Sequence, residues 1–225
     1  MVDEIRSALA AVADPEKAAP MQAYMKSTMP NLGVQKPARV AALRSVLRRH
    51  RLPDRVTWED TVRLLWDGAT YREERYAATD VARYRSYADW ATDPRSLALF
   101  DHLIVSGAWW DHVDEVAIRL IGPLLDAHPA EVAPVMRSWA RDVDRWRRRA
   151  SVICQIGLRD ATDTVLLAEC ILANVDDPDF FLRKGIGWAL REYAKTDPHW
   201  VRTFTTSYRA RLSPLSLREA TRTLP

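Results

Sequence analysis

The sequence predicts an all-α protein, and three observations support that fold class. Hydrophobic residues make up 48% of the 225 positions and charged residues 28%, but there are only seven glycines. Alanine, arginine and leucine, which favour helix, are abundant. Apolar residues recur at helical spacing, as in Val40, Leu43 and Leu47, and no segment alternates convincingly as a strand does. An all-β sandwich would need many more turn residues.

Polar residues followed by proline mark six of the thirteen expected helix starts. The polar side chain accepts a hydrogen bond from a free N–H of the first turn, and proline fits the first helical position. The pairs are Asp14-Pro15, Asp93-Pro94, His128-Pro129, Asp177-Pro178, Asp197-Pro198 and Ser213-Pro214. Taken with the apolar spacing, they predict helices near residues 3–13, 15–28, 36–50, 57–68, 71–87, 94–107, 109–126, 129–141, 143–157, 161–174, 178–195, 197–210 and 213–223.

Short turns between these helices favour antiparallel hairpins. From about residue 57, two helices and their turns occupy roughly 35 to 45 residues, which is the period of HEAT-like repeats. We therefore expect an α-solenoid of HEAT-like hairpins with a concave basic groove. The chain has no proline-rich or glycine-rich linker, so residues 1–225 are expected to form a single domain.

Several functional classes are disfavoured by the residues present. No run approaches the roughly 18 apolar residues of a membrane span, and acidic Asp3 and Glu4 do not suit a signal peptide, so a cytoplasmic protein is expected. Cys154 and Cys170 lack C-x-x-C spacing and are expected to be buried thiols. The five histidines are scattered without an H-E-x-x-H pair. We expect neither a metal nor another cofactor.

Arginine dominates the basic residues, although the formal net charge is only +3. The densest block runs from Arg137 to Arg149 and contains Trp139 and Trp146. Taken alone, such a block fits a solvated helix face. Arginines interleaved with tryptophans also suit a surface that follows phosphates, so a polyanion is a candidate partner.

The segment Ser106–Glu115 combines two indoles with three acidic residues. Trp110 and Asp114 are four residues apart and share one helix face, whereas Trp109 and Asp111 are expected to be structural. No catalytic role is assigned to His112. Farther along, Gly185 and Gly187 lie inside an expected helix, where each costs about 1 kcal/mol relative to alanine. Either a neighbouring helix or a ligand must approach that backbone closely.

Two ordered strings are specific enough to indicate a family: Trp109-Trp110-Asp111-His112-Val113-Asp114 and Gly187-Trp188-Ala189-Leu190-Arg191-Glu192-Tyr193-Ala194-Lys195. Further agreement extends from Asp14-Pro15-Glu16-Lys17-Ala18 to Pro214-Leu215-Ser216-Leu217-Arg218-Glu219-Ala220. With these residues the chain resembles the DNA alkylation repair glycosylases of the AlkD type, which are HEAT-like solenoids. The resemblance spans nearly the whole chain.

The resemblance implies a site and a substrate. Asp114 matches the catalytic carboxylate, and Trp110 and Trp188 match the indoles beside the sugar of the lesion. The residues expected to bind DNA are Arg149, Tyr24, Arg148 and Lys184. The implied activity is hydrolysis of the N-glycosidic bond of cationic N3- or N7-alkylated purines in duplex DNA, without base flipping. No lyase step is expected, because the sequence singles out no lysine as a desolvated Schiff-base nucleophile.

A monomer that needs no partner other than DNA is expected. Two other interpretations stay open: a non-catalytic HEAT-like module that binds DNA structures, and a protein-binding scaffold.

Overall fold

Helices account for all of the regular secondary structure in residues 1–224, the part of the chain that this computed structural model describes. The predicted all-α class is therefore confirmed. No helix in that part combines the length and apolar character needed to cross a membrane. The backbone divides into two compact units: an N-terminal unit, Met1–Ala91, and a C-terminal unit that starts at Thr92. That the whole chain acts as a single domain stays a prediction.

The N-terminal unit has six α-helices and a short 3₁₀ turn at Arg85–Tyr87. The α-helices are α1 (Val2–Ala10), α2 (Pro15–Met25), α3 (Lys36–Arg49), α4 (Arg55–Asp67), α5 (Arg72–Ala82) and α6 (Ala88–Ala91). Its core includes the fully buried side chains of Ile5, Leu9, Leu43, Trp58 and Trp66.

Charged residues inside the N-terminal unit are paired. Glu73 is fully buried, and its carboxylate accepts the backbone N–H groups of Leu32 at 2.9 Å and Val34 at 3.0 Å. The Arg39 guanidinium donates to buried Asp80 at 2.8 Å. Because a buried charge is costly unless it is hydrogen-bonded, these contacts fix the connection between α2 and α3 against α5.

The C-terminal unit contains nine α-helices among its described residues. They are α7 (Leu97–Gly107), α8 (Trp110–Val116), α9 (Gly122–Ala127), α10 (Pro129–Trp139), α11 (Arg145–Ile153), α12 (Thr164–Leu172), α13 (Phe180–Tyr193), α14 (Pro198–Ser207) and α15 (Pro214–Thr221). Helix α11 packs against α8 and α13, and α13 also packs against α15.

The predicted helix starts are confirmed where the capping side chain reaches a backbone N–H. Asp14, Asp197 and Ser213 accept from Lys17, Trp200 and Ser216 and begin α2, α14 and α15. The start expected at Asp177-Pro178 is wrong by two residues. Asp179 caps that helix instead, and α13 begins at Phe180.

The helix expected over residues 109–126 is not continuous. A π-helical segment, Ala117–Ile121, separates α8 from α9. Pro123 has no N–H to donate to the preceding turn, which interrupts the regular hydrogen-bond ladder. At Gly122, a Cβ atom would lie 2.6 Å from the Cys154 carbonyl oxygen, so the backbone at the end of α11 fits closely against this break.

Candidate active site

The turn from α7 into α8 positions the first candidate residues. Ala108 ends α7 in the left-handed conformation, with φ of 42°, and Trp109 is extended, so α8 starts at Trp110. Trp109 packs against the rings of Trp146 and Phe181, with centroid distances of 6.2 and 5.5 Å. Its predicted structural role is confirmed. Trp110, at the start of α8, stays half-buried.

Asp114 is held by a bidentate ion pair with Arg149 on the neighbouring helix α11. Arg149 donates from Nε to Oδ1 and from Nη2 to Oδ2 of Asp114, both at 2.7 Å. The side chain of Asp114 is 13% exposed and that of Arg149 only 6%. The carboxylate is thus fixed in orientation and largely removed from water, while a small part of it stays accessible.

Opposing effects act on the proton affinity of this carboxyl group. Burial raises the pKa of Asp114 above the ordinary aspartate value, and the hydrogen bonds and charge of Arg149 oppose that rise. The nearby charges of Asp111 and Glu115 raise it further. His112, two residues before Asp114, is 1% exposed and belongs to the interior.

Arg149 is itself positioned by helix α13. Its Nη1 donates to the carbonyl oxygen of Phe181. A Cβ atom at Gly185 would lie 3.1 Å from Arg149 Nη1 and 3.4 Å from Ile153 Cγ2. The missing side chain at Gly185 therefore leaves room for the guanidinium. Nothing in the sequence pattern indicated that Phe181 or Gly185 would support the site through Arg149.

Trp188 lies on the same helix, three residues after Gly185, and is half-buried. Residues three apart on a helix share a face, so Trp188 lies about one turn beyond Gly185, the position that contacts Arg149. Gly187, in contrast, faces α15, where a Cβ would lie 2.5 Å from Glu219 Cβ and 2.9 Å from the Ser216 carbonyl oxygen. Of the two explanations for these glycines, close packing by a neighbouring helix is the one observed.

The basic block of α11 is largely neutralised by carboxylates. Arg148 donates to Asp177 at 2.5 Å, and Arg147 forms two bonds with Asp101 at 2.7 and 2.8 Å. Lys184 donates to Glu219 at 2.8 Å, and the same carboxylate accepts from Arg191. The predicted DNA-binding residues of this unit are therefore already in ion pairs.

Tyr24 belongs to the N-terminal unit, on α2, and is 75% exposed. Roles in DNA binding for Tyr24, Arg148, Arg149 and Lys184 stay predictions. Within the range 1–224, no cluster of three or more His, Cys, Asp or Glu side chains is placed to hold a metal ion.

Comparisons with known proteins agree on the family. The model of the DNA alkylation repair enzyme family matches residues 5–224. A solved structure described as a predicted DNA alkylation repair enzyme from Enterococcus faecalis is 30% identical, with a TM-score of 0.84, over 94% of this chain and 96% of that one.

A second structure, smu.31 from Streptococcus mutans UA159, is similar in fold alone. It is 14% identical, with a TM-score of 0.63, over 81% of this chain and 90% of that one. A search of curated proteins found no significant match. The family match over nearly all of the sequence and the E. faecalis structure lead to one conclusion: the chain belongs to the DNA alkylation repair enzyme family.

Proposed function

We propose that this protein is a monofunctional DNA glycosylase that hydrolyses the N-glycosidic bond of cationic N3- or N7-alkylated purines in duplex DNA and leaves an abasic site. The observation that carries the proposal is the Asp114 carboxylate, which accepts two hydrogen bonds from Arg149 and whose side chain is only 13% exposed. Membership of the DNA alkylation repair enzyme family supports DNA as the substrate.

The chemistry needs an anion beside the sugar. An alkylated purine with a positive ring leaves without being protonated, so no general acid is required for its departure. As the glycosidic bond breaks, positive charge develops on the deoxyribose, and a preorganised carboxylate in a water-poor site stabilises it. The same carboxylate orients or deprotonates the attacking water.

The two tryptophans fit the same task. Trp110 shares a helix face with Asp114, and Trp188 lies about one turn from Gly185, the position that contacts Arg149. A cation–π interaction with an indole face contributes roughly 0.5 to 2 kcal/mol, and the indole also excludes water. We assign both indoles to the sugar of the lesion. Because the reaction takes place at the sugar, the base does not have to leave the duplex for a pocket.

Arg149 acts as a positioning residue in this proposal. Its guanidinium is buried and occupied by Asp114 and the Phe181 carbonyl, which favours a role in orienting the carboxylate over direct phosphate binding. The Lys184 ammonium group is occupied by its ion pair with Glu219, which does not favour a role as a Schiff-base nucleophile in a lyase step.

The decisive experiment measures the release of modified base from duplex DNA by mass spectrometry. Asp114→Asn should lower the single-turnover release of N7-methylguanine by at least about 100-fold, the loss expected when one preorganised electrostatic group is removed. Duplex binding should be retained or tightened, since a negative charge near the phosphates is lost. Asp126→Asn is the matched control, because Asp126 is an exposed aspartate on α9.

Two results would contradict the assignment. Unchanged release by Asp114→Asn would remove the proposed role of the carboxylate. If the native protein binds duplex DNA but releases no base, the non-catalytic DNA-binding interpretation is correct. A neutral lesion such as hypoxanthine should be released far more slowly, because its departure needs a general acid and the proposed mechanism assigns none.

A further inference from the structure

A cavity of about 650 Å³ lies at the carboxyl ends of α11 and α13 in the C-terminal unit. Its size falls within the range typical of ligand sites, roughly 300 to 1,000 Å³. Arg119, Gln155, Arg159, Glu192 and Lys195 contribute to its walls. None of the roles assigned to Asp114, Trp110 or Trp188 uses this space.

The cavity begins about one helical turn from the candidate active site. Arg119 follows Asp114 by five residues, and Glu192 follows Trp188 by four on α13. On α13, four residues at 1.5 Å each correspond to about 6 Å along the helix axis. Each nucleotide of a duplex strand rises about 3.4 Å, so the distance corresponds to about two nucleotides.

Two of the cations in the wall are unpaired within residues 1–224. Arg119 and Arg159 are exposed, and neither side chain makes a hydrogen bond or an ion pair with any residue in the range 1–224. By contrast, Lys195 pairs with Glu192 at 2.6 Å. Asp160 is the remaining acidic residue of the wall, so the cavity as a whole carries a positive excess.

The loop that carries Arg159 is fixed in place. The buried Gln155 side chain donates to the Asp163 carbonyl oxygen at 3.0 Å and accepts the Asp163 N–H at 2.8 Å. Within this closed loop, Gly157 has φ of 96° and Arg159 has φ of 53°. A left-handed backbone is unfavourable for a residue with a side chain, so the fold holds Arg159 in this position against a local preference.

We propose that this cavity binds a phosphodiester group of the DNA strand next to the lesion, with Arg119 and Arg159 as its ligands. The inference rests on the proposed function, which brings a nucleotide of that strand to Asp114. Arginine suits this task because its planar guanidinium bonds two phosphate oxygens at once. Such a contact fixes the register of the strand without recognising its sequence.

The test measures the binding of undamaged duplex DNA by fluorescence anisotropy at several salt concentrations. Arg119→Ala and Arg159→Ala should each weaken binding. Each should also reduce the slope of log K against log salt, and the double variant should reduce it by about 0.9, the value for one lost phosphate contact. Asp160→Asn should tighten binding, because it removes the opposing charge. Thermal unfolding of each variant checks that the fold is intact.

Arg209→Ala provides the matched control. Arg209 is exposed, lies after α14 outside the cavity, and makes no side-chain contact with a partner in the part of the chain that the structure describes. Its salt slope should equal that of the native protein. If Arg119→Ala and Arg159→Ala also keep the native affinity and slope, the cavity does not bind phosphate and the inference is overturned.

The outcome is separate from that of the glycosylase proposal. Undamaged DNA offers no base for release, so the salt slopes do not depend on catalysis. If the native protein releases no base but the two arginine variants lose slope, the phosphate site stands and the glycosylase assignment fails. If base release depends on Asp114 but the slopes are unchanged, only the phosphate site fails.

Discussion

Burial and the ion pair with Arg149 shift the pKa of the Asp114 carboxyl group in opposite directions. Burial raises its pKa, and the two hydrogen bonds from Arg149 favour the ionised form. Removing one partner of a buried ion pair typically costs about 3 to 5 kcal/mol, because the other charge is left without compensation. Arg149 is further tied to the Phe181 carbonyl, so the carboxylate has little freedom to turn.

Replacing Arg149 should therefore change the pH dependence of catalysis. In Arg149→Met the group that opposes the rise is lost, and the pKa of Asp114 should move still higher. In the proposed mechanism Asp114 works as an anion, so base release should fall as the pH drops through that pKa. The acidic limb of the single-turnover release profile should shift to higher pH, with a lower rate at neutral pH.

The variant Arg149→Lys separates the effect of losing the positive charge from the effect of losing the packing of the side chain. It keeps a cation beside Asp114 but gives up the two-pronged geometry, so its acidic limb should lie between those of the native protein and Arg149→Met. A purely structural role for Arg149 would lower the rate in both variants without moving the limb.

At the scale of the helix, α13 uses two glycines for different contacts. Gly187 allows α15 to approach, since a Cβ there would lie 2.5 Å from Glu219 Cβ and 2.9 Å from a backbone oxygen. Backbone does not give way easily, so Gly187→Ala should destabilise the protein by about 1 to 3 kcal/mol, as overpacked cores do. Urea unfolding followed by circular dichroism measures the change in the free energy of unfolding.

Gly185→Ala provides the comparison on the same helix. Its Cβ would meet Arg149 Nη1 at 3.1 Å, and alanine in a helix gains about 1 kcal/mol over glycine. The loss of stability should therefore be smaller than for Gly187→Ala, while the displaced guanidinium lowers base release. If Gly185→Ala releases base at the native rate, the close fit of Arg149 against α13 does not matter for activity.

At the scale of the whole molecule, ion pairs are spread over both units. Several carboxylates have a lowered pKa because they accept hydrogen bonds from basic side chains or from a helix N-terminus; they are Glu4, Asp14, Asp54, Asp176 and Glu219. Most of these pairs lie at the surface, where each contributes little. Because the pKa of each of these carboxylates is lowered, their small contributions to the free energy of unfolding add up as the pH changes.

Acid should consequently destabilise the fold. A carboxylate whose pKa is lower in the folded protein stabilises it fully above the unfolded value, and that contribution is lost as the pH falls through the folded value. We expect the free energy of unfolding to drop as the pH falls below about 4.5, near the unfolded pKa of glutamate. Asp114 acts in the opposite direction, because its pKa is raised.

Urea unfolding at several pH values between 7 and 3 measures this dependence. Glu219→Gln should flatten it, since Glu219 accepts from both Lys184 and Arg191 and its side chain is only 14% exposed. Stability that stays constant or rises below pH 4.5 would contradict the expectation.

Periodicity and capping residues determined the helical class and most helix starts, because both act over three or four residues along the chain. The ordered tryptophan and aspartate strings were likewise sufficient to indicate the family and to select Asp114, Trp110 and Trp188. The shift of the α13 cap to Asp179 and the π-helical break before Pro123 depend on competition between nearby residues and were not predicted.

The pairing of side chains from distant segments was decided only by tertiary structure. Arg149 lies 35 residues from Asp114, and nothing in its local sequence separates it from Arg148, whose partner is Asp177. The fold turns Arg149 inward, where Gly185 leaves room for it, and leaves Arg119 and Arg159 at an open cavity. Burial and charge neutralisation are properties of packed helices, so one basic block in the sequence became a set of ion pairs in the folded protein.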